Sequence, residues 1–188
     1  MSISRQLMVV VATAILVSGC ASFTAPTYSP HYETIDRLKK INIEKMSVGE
    51  MQPRDPNASV NKITLRGAML TSPSGTFANY LENAIRSDLM EMGLYDPTST
   101  TRVDANILKN DIDVSGLGTG YGTMEVKLMI NKKGTLVFEK VYLVNTQFES
   151  SFAGAVAIPK GQNEYPNLVR ALLQKVYVDP AFIEAVKK

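Results

Sequence analysis

Two segments joined by a tight turn constrain the fold of this chain most, because apolar and polar side chains alternate along them. Residues 124–130 carry an apolar side chain at every even position, with Glu125 and Lys127 between them. This period of two predicts a strand with one buried face. The turn sequence Asn-Lys-Lys-Gly at residues 131–134 then predicts a hairpin to a second long strand over residues 135–148. A strand with one apolar face needs a second layer to cover it, so we expect a sheet packed against helices.

Two main helices are expected to supply that layer. In residues 77–92 apolar side chains recur every three or four positions, and Gly93 follows where a C-terminal cap belongs. A second helix is predicted to begin at Pro166, after a loop over residues 159–163. Asp179 and Pro180 predict the start of a short terminal helix.

Three further strands complete the predicted sheet, over residues 38–48, 62–70 and 103–114. In the last of these strands the apolar side chains change from odd to even positions, so we expect a bulge near Lys109 and Asn110. The predicted order is β-β-α-β-β-β-α-α. We therefore expect an α+β fold in which two main helices pack on one face of a mostly antiparallel four- to five-stranded sheet.

The first twenty residues have the features of an export signal that ends at the only cysteine of the chain. Arg5 precedes an apolar run of about 11 residues, a length typical of a signal peptide and too short to span a bilayer. Residues 16–20, Leu-Val-Ser-Gly-Cys, resemble the bacterial lipobox. The resemblance implies that residues 1–19 are a cleaved signal peptide and that Cys20 is acylated by fatty acids such as palmitate. The mature chain would then begin with a membrane anchor.

The residues after Cys20 predict where the anchor is held. Ala21 and Ser22 follow it, whereas an aspartate there is the usual signal for inner-membrane retention in lipoproteins of the enterobacterial type. The resemblance therefore implies an outer membrane location, with the domain facing the periplasm. Residues 20–36 contain two prolines and little periodicity, so we expect a flexible tether there, followed by a single domain over residues 37–188.

The composition leaves few residues for catalysis or metal binding. His31 is the only histidine and lies in the expected tether, and the only cysteine is the one expected to carry lipid. Nucleophilic triads and zinc sites therefore lack their usual side chains inside the domain. A net charge of +2 gives no electrostatic basis for nucleic-acid binding. We expect no enzyme activity, no metal and no cofactor beyond the covalent lipid at Cys20.

Asp111 and Asp113 are the remaining candidates for acid–base chemistry or calcium binding. They lie two residues apart on a predicted strand and lack the spacing of a calcium loop. We interpret them as part of a solvated strand face.

Two segments are candidates for binding a partner. Residues 116–122 are rich in glycine but lack the Lys-Ser/Thr ending of a phosphate loop, so we interpret them as a flexible hairpin connection. Residues 147–160 predict either a crossover that packs the core or an apolar groove or edge that accepts a partner. The candidate binding residues are Gly116, Gly118, Gly120, Tyr121, Phe152 and Ile158.

The lipobox and the order of elements, with Phe-Ala-Asn-Tyr-Leu-Glu-Asn-Ala-Ile at residues 77–85, resemble the small α+β envelope lipoproteins. These include auxiliary lipoproteins of ABC-type transport systems and the lipoprotein of the lipopolysaccharide-export translocon. The resemblance implies a non-catalytic accessory subunit for outer-membrane or trans-envelope transport or assembly, acting through an envelope protein partner. The alternative is a lipoprotein that binds a lipid or a glycan on its own.

Overall fold

The computed structural model describes residues 21–188, so the expectations for the signal peptide and for Cys20 concern residues outside this range. The strands of the described part are β1 (Ser22–Thr24), β2 (Ser47–Gln52), β3 (Ile63–Leu65), β4 (Ala68–Thr71), β5 (Thr101–Asp113), β6 (Thr119–Lys132) and β7 (Thr135–Glu149). Its helices are α1 (Tyr32–Leu38), α2 (Phe77–Glu91), α3 (Gly154–Tyr177) and α4 (Pro180–Val186), with a 3-10 turn at Ser59–Asn61.

The main sheet has four strands in the order β2-β5-β6-β7. The three long strands are antiparallel, and β2 pairs with β5 in parallel. The predicted hairpin is confirmed: Lys133 and Gly134 have φ values of 51° and 82°, as a tight two-residue turn requires. The predicted bulge is also present, because the β5–β6 register shifts between Ile107 and Lys109. The α+β class is therefore confirmed.

Both main helices lie on one face of this sheet and share its hydrophobic core. Helix α2 matches its prediction: the Thr76 side chain accepts a hydrogen bond from the Asn79 N–H, and Gly93 follows the helix at a φ of 72°. Helix α4 also matches, with the Asp179 side chain accepting from the Ala181 N–H and Pro180 in the first turn.

Helix α3 is longer than expected, because it begins at Gly154 and contains both Pro159 and Pro166. The prediction of a loop over residues 159–163 and a helix start at Pro166 is wrong. Each proline removes one helical hydrogen bond, but the helix buries a continuous stripe of side chains against the sheet. Burial of that stripe outweighs the local preference for a break.

The strands of the predicted single sheet are divided between two mixed sheets. Strands β1, β4 and β3 form a separate three-stranded sheet, in which β1 is parallel to β4. Residues 62–70 are not one strand, because Arg66 and Gly67 have φ values of 50° and 84° and reverse the chain between β3 and β4. The strand expected over residues 38–48 is displaced to β2.

The expected tether is instead folded onto the domain, as β1 and α1. The Tyr80 hydroxyl donates to the Pro26 carbonyl at 2.7 Å, and Gln162 Nε2 donates to the Thr24 carbonyl at 2.6 Å. Ile35 and Leu38 are buried in the core. The apolar surface of these residues stabilises the docked segment, so the folded unit begins at β1.

Candidate functional site

The main sheet has one open face, opposite its helices. Side chains at odd positions of β7 lie on this face, and Val141 and Leu143 are 46% and 44% exposed. Leu136 and Val137, at the start of the same strand, are also exposed. Four exposed apolar side chains on one strand are unusual for a surface that faces only water.

Strand β7 is also the edge of the main sheet within residues 21–188. Among the described residues no further strand pairs with its outward backbone N–H and C=O groups, and the Leu143 carbonyl accepts from Lys175 Nζ at 2.7 Å. A lysine at an edge is one way to limit uncontrolled pairing. We call β7 and the side chains of Leu136, Val137, Val141 and Leu143 the edge surface.

A polar depression of about 370 Å³ lies at the other side of the open face, across β2, β5 and β6. At its centre is Asp104, whose carboxylate accepts from the Glu50 N–H at 2.9 Å, from Arg102 Nε at 2.9 Å and from Asn131 Nδ2 at 2.7 Å. Gly49 leaves the space that this carboxylate fills, since a Cβ there would collide with it. These three donors connect the Asp104 carboxylate to β2 and β6 as well as to its own strand β5.

A second feature lies where β5 turns into β6. The Arg66 guanidinium donates to the carbonyls of Gly116 at 3.2 Å and Ser151 at 2.9 Å, and also to that of Phe152. Arg66 Nε donates to a further carbonyl in the same connection, that of Val114, at 3.0 Å. Two loops are thereby held together by one side chain. We call this the Arg66 cluster: Arg66, Gly116, Leu117, Ser151 and Phe152.

The Arg66 cluster presents two apolar tips to solvent. Leu117 and Phe152 are each 76% exposed, the highest fractions among the large apolar side chains of the described residues. The Ser150 N–H donates to the Gly118 carbonyl at 2.9 Å, which fixes the two loops side by side. The tips are therefore exposed on an ordered backbone.

The six candidate binding residues lie in four places. Gly116, Gly118 and Phe152 come together at the Arg66 cluster. Tyr121 lies exposed on the open face, on β6. The two others lie in packed positions: Gly120 faces the Phe148 ring within β6, and Ile158 is on α3 against the core.

Sequence reasoning missed the residues that organise these surfaces. The prediction places Arg66 and Gly67 inside a strand, although an Arg-Gly pair is a turn signal. Along β7 the run Val-Tyr-Leu-Val at residues 141–144 is apolar at both parities, which indicates a strand with two apolar faces.

The carboxylates and the histidine considered for chemistry occupy local structural positions. The Ser115 side chain lowers the pKa of Asp113 below its usual range, and the Ser115 N–H, which donates to Asp113 at 2.7 Å, acts in the same direction. His31 caps α1, where its Nδ1 accepts from the Thr34 N–H at 3.3 Å. Among residues 21–188 no group of three or more His, Cys, Asp and Glu side chains is arranged to hold a metal ion.

Comparison with known proteins gives a fold and no activity. No family model matches the chain, and no curated protein matches it. A crystal structure of a Xanthomonas campestris protein of the DUF330 family matches with a TM-score of 0.55 at 10% identity, covering 84% of this chain and 95% of that one. A candidate lipoprotein from Caulobacter crescentus matches with a TM-score of 0.44 at 13% identity, over 80% of this chain and 94% of that one. The first match shows a shared fold.

No helix in residues 21–188 combines the length and the apolar character that crossing a membrane requires.

Proposed function

We propose that this protein is a lipid-anchored accessory subunit of an outer-membrane or trans-envelope complex, facing the periplasm and acting through protein–protein contacts. The edge surface is the observation that carries this proposal. The anchor is the acylated Cys20 expected from the lipobox.

The edge surface suits a protein partner for two reasons. A 15-residue edge strand offers a row of backbone donors and acceptors to an added strand. The exposed Val141 and Leu143 would pack against the alternate side chains of that strand, and such contacts give both affinity and specificity. The partner chemistry is therefore an extended segment with apolar residues at every second position.

The proposal that the protein is not an enzyme and needs no cofactor is supported by three carboxylates that are held by hydrogen bonds. Asp104 is bound by three donors, and Asp88 accepts from the Tyr28 hydroxyl at 3.1 and 3.0 Å. Asp179 accepts from Lys140 Nζ at 2.7 Å and from the Tyr142 hydroxyl at 2.6 Å. Each of these carboxylates joins two separate parts of the chain, so its charge has a structural role.

The alternative, a lipoprotein that binds a lipid or a glycan by itself, receives less support. The segment expected to line an apolar groove is the start of α3, where Ala157 is buried and Ile158 packs against the core. A ligand in that position would have to displace packed side chains, at a cost comparable to that of opening a cavity.

Site-specific photo-cross-linking in cells tests the proposed partner surface. A benzophenone amino acid at Val141 or Leu143 of the lipidated protein should form one recurrent protein adduct. The matched control is Met90, which is 61% exposed on α2, on the covered side of the sheet. An adduct at Met90 but not at Val141 or Leu143 would contradict the proposed surface. No protein adduct together with lipid in organic extracts would favour the alternative.

The anchor is tested separately by cell fractionation. Several acyl chains on Cys20 would hold the protein at the membrane, since each buried CH₂ contributes about 0.8 kcal/mol. Cys20→Ala, placed behind a signal peptide whose cleavage does not need the lipobox cysteine, should move the protein from the membrane fraction to the soluble periplasmic fraction. Recovery of this variant in the membrane fraction would contradict the lipid anchor.

A further inference from the structure

We infer that the Arg66 cluster is a membrane-contacting surface, whose Leu117 and Phe152 side chains enter the boundary between lipid headgroups and acyl chains. This inference rests on the lipid anchor in the proposed function. It adds an orientation of the domain and a second attachment to the same bilayer.

Only a short stretch of chain separates the proposed anchor at Cys20 from the folded domain. Ala21 is bonded to Cys20, and its carbonyl accepts from the Met69 N–H at 2.9 Å. Ser22 is already paired with Met69 in the β1–β4 ladder. Since consecutive Cα atoms are about 3.8 Å apart, a lipid on Cys20 would leave the chain beside the start of β4. Almost no slack separates the bilayer from the domain.

Arg66 connects the start of β4 to the two loops that carry the apolar tips. Arg66 and Gly67 form the turn that immediately precedes β4, and the Arg66 guanidinium binds both loops of the Arg66 cluster. Leu117 adjoins Gly116 in one loop, and Phe152 adjoins Ser151 in the other. The exposed tips and the anchored strand therefore belong to the same end of the molecule.

Several side chains exposed at this end are apolar. Leu117 and Phe152 are each 76% exposed, and Met69 is 44% exposed. Apolar side chains on an ordered backbone gain free energy by entering the interfacial region of a bilayer. A protein partner is a weaker explanation, because the tips come from two loops and present no strand edge for pairing.

Charge does not account for attachment at this end. The Arg66 guanidinium is occupied by carbonyls, and Lys160 pairs with Glu149 at 3.2 Å. Asp113, in the same region, adds a negative charge. The contact is therefore apolar and should be insensitive to salt, unlike the attraction of basic residues to anionic lipids.

The opposite end of the main sheet is the rival membrane contact. Strand β6 has 14 residues and spans about 45 Å, from the Arg66 cluster to the β6–β7 turn. Around that turn, Lys45, Lys132, Lys133 and Lys188 line a depression of about 640 Å³. Anionic lipids would attract these lysines, but the chain reaches Cys20 at the other end.

Single-tryptophan fluorescence decides between the two ends, because the chain contains no tryptophan. We would place one reporter at Phe152→Trp, a second at Leu117→Trp and a control at Leu136→Trp. Leu136 is 51% exposed at the lysine end, so all three substitutions lie on the surface. The lipidated full-length protein is reconstituted into vesicles of phosphatidylethanolamine and phosphatidylglycerol with brominated acyl chains, and attachment is measured by flotation.

The expected result is a blue-shifted emission for the reporters at 152 and 117, with loss of most of their fluorescence in brominated vesicles. The control at 136 should keep its emission, and high salt should change neither result. Quenching at 136 alone, or at none of the three positions in protein that floats with the vesicles, would overturn the inference and leave the anchor standing. Protein that fails to float would overturn the anchor and the inference together. Circular dichroism confirms that each variant is folded, and two reporters prevent one misfolded variant from deciding the outcome.

Discussion

Asp88 is the residue whose surroundings differ most from those of an ordinary carboxylate. It is 1% exposed on α2, and the Tyr28 hydroxyl donates to both of its oxygens. Burial removes water from the charged form and raises the pKa of Asp88 to about 6, although the Tyr28 hydrogen bond acts in the opposite direction. Burial raises the pKa of Tyr28, and the Asp88 carboxylate raises it further.

Asp88→Asn should therefore remove a pH dependence of stability. Because the folded-state pKa of about 6 lies above the ordinary 3.8, the native state retains the Asp88 proton over the range in which the unfolded chain has lost it. The free energy of unfolding then falls as pH rises from about 4 to about 6, by about 3 kcal/mol. Urea unfolding from pH 4 to pH 7 would measure this loss in the wild type and its absence in the Asn variant. Equal slopes in both proteins would contradict the assignment.

Gly161 is a position at which α3 packs closely against the end of β5. A Cβ at this position would lie 2.6 Å from Val114 Cγ1 and 3.2 Å from Ile112 Cγ2. Both neighbours are buried, so neither can move without disturbing the core. The absence of a side chain at 161 thus sets the helix–sheet distance.

Gly161→Ala should lower the free energy of unfolding by about 1–3 kcal/mol, the range typical of overpacked cores. The matched control is Gly154→Ala in the same helix, because a Cβ there meets no atom within 4 Å. The control should be neutral or stabilising by up to about 1 kcal/mol. Chemical denaturation measures both variants, and equal values for the two would contradict the close approach at 161.

At the scale of elements, the N-terminal segment is the largest departure from the predicted organisation. Strand β1 adds a parallel partner to β4, and two side chains hold the residues that follow: Tyr80 binds the Pro26 carbonyl and Gln162 binds the Thr24 carbonyl. These bonds come from α2 and α3. The segment is thereby coupled to both main helices.

Replacing both anchoring side chains, by Tyr80→Phe and Gln162→Ala, should loosen this segment selectively. Two lost hydrogen bonds correspond to about 1–3 kcal/mol, so the amides of residues 22–25 should exchange with solvent faster while those of β6 keep their rates. Hydrogen exchange measures both regions. Arg54→Met, which breaks the exposed ion pair with Glu82, serves as the control and should change neither region.

At the scale of the whole molecule, the two ends of the main sheet have different characters. One end carries the Arg66 cluster and the start of β1, and the other carries four lysines. With the anchor beside β4, the long strands would project from the bilayer and carry the edge surface into the periplasm. With the proposed anchor at Cys20, the short connection to β1 would fix this orientation.

A longer connection between the lipid and the domain should abolish the fixed orientation of the domain on the bilayer. A flexible Gly/Ser linker of about 20 residues between Cys20 and Ala21 has a mean span of about 25 Å, which frees the domain from the surface. In this variant the tryptophan at position 152 should lose much of its quenching by brominated lipid, while flotation is unchanged. Full quenching with the linker present would show that the Arg66 cluster binds the bilayer without help from a short connection.

The elements predicted correctly are those with local signals. Helix α2, the β6–β7 hairpin and α4 each combine a periodic pattern with a cap or turn residue next to it, such as Gly93, Gly134 or Asp179. The start of α3 was predicted wrongly because a proline is a local signal for a break, whereas packing against the sheet decided the outcome.

The sequence by itself determined the class of the fold and the main hairpin, because periodicity and turn residues act over a few neighbouring positions. It also contains residues 16–20, which resemble the lipobox, and has one histidine and one cysteine. Only the tertiary structure decided that residues 22–38 dock, that Arg66 joins two loops, and that apolar side chains stay exposed along β7. These features depend on contacts between residues far apart in the chain, and no local pattern encodes which distant backbone carbonyl or carboxylate a side chain will meet.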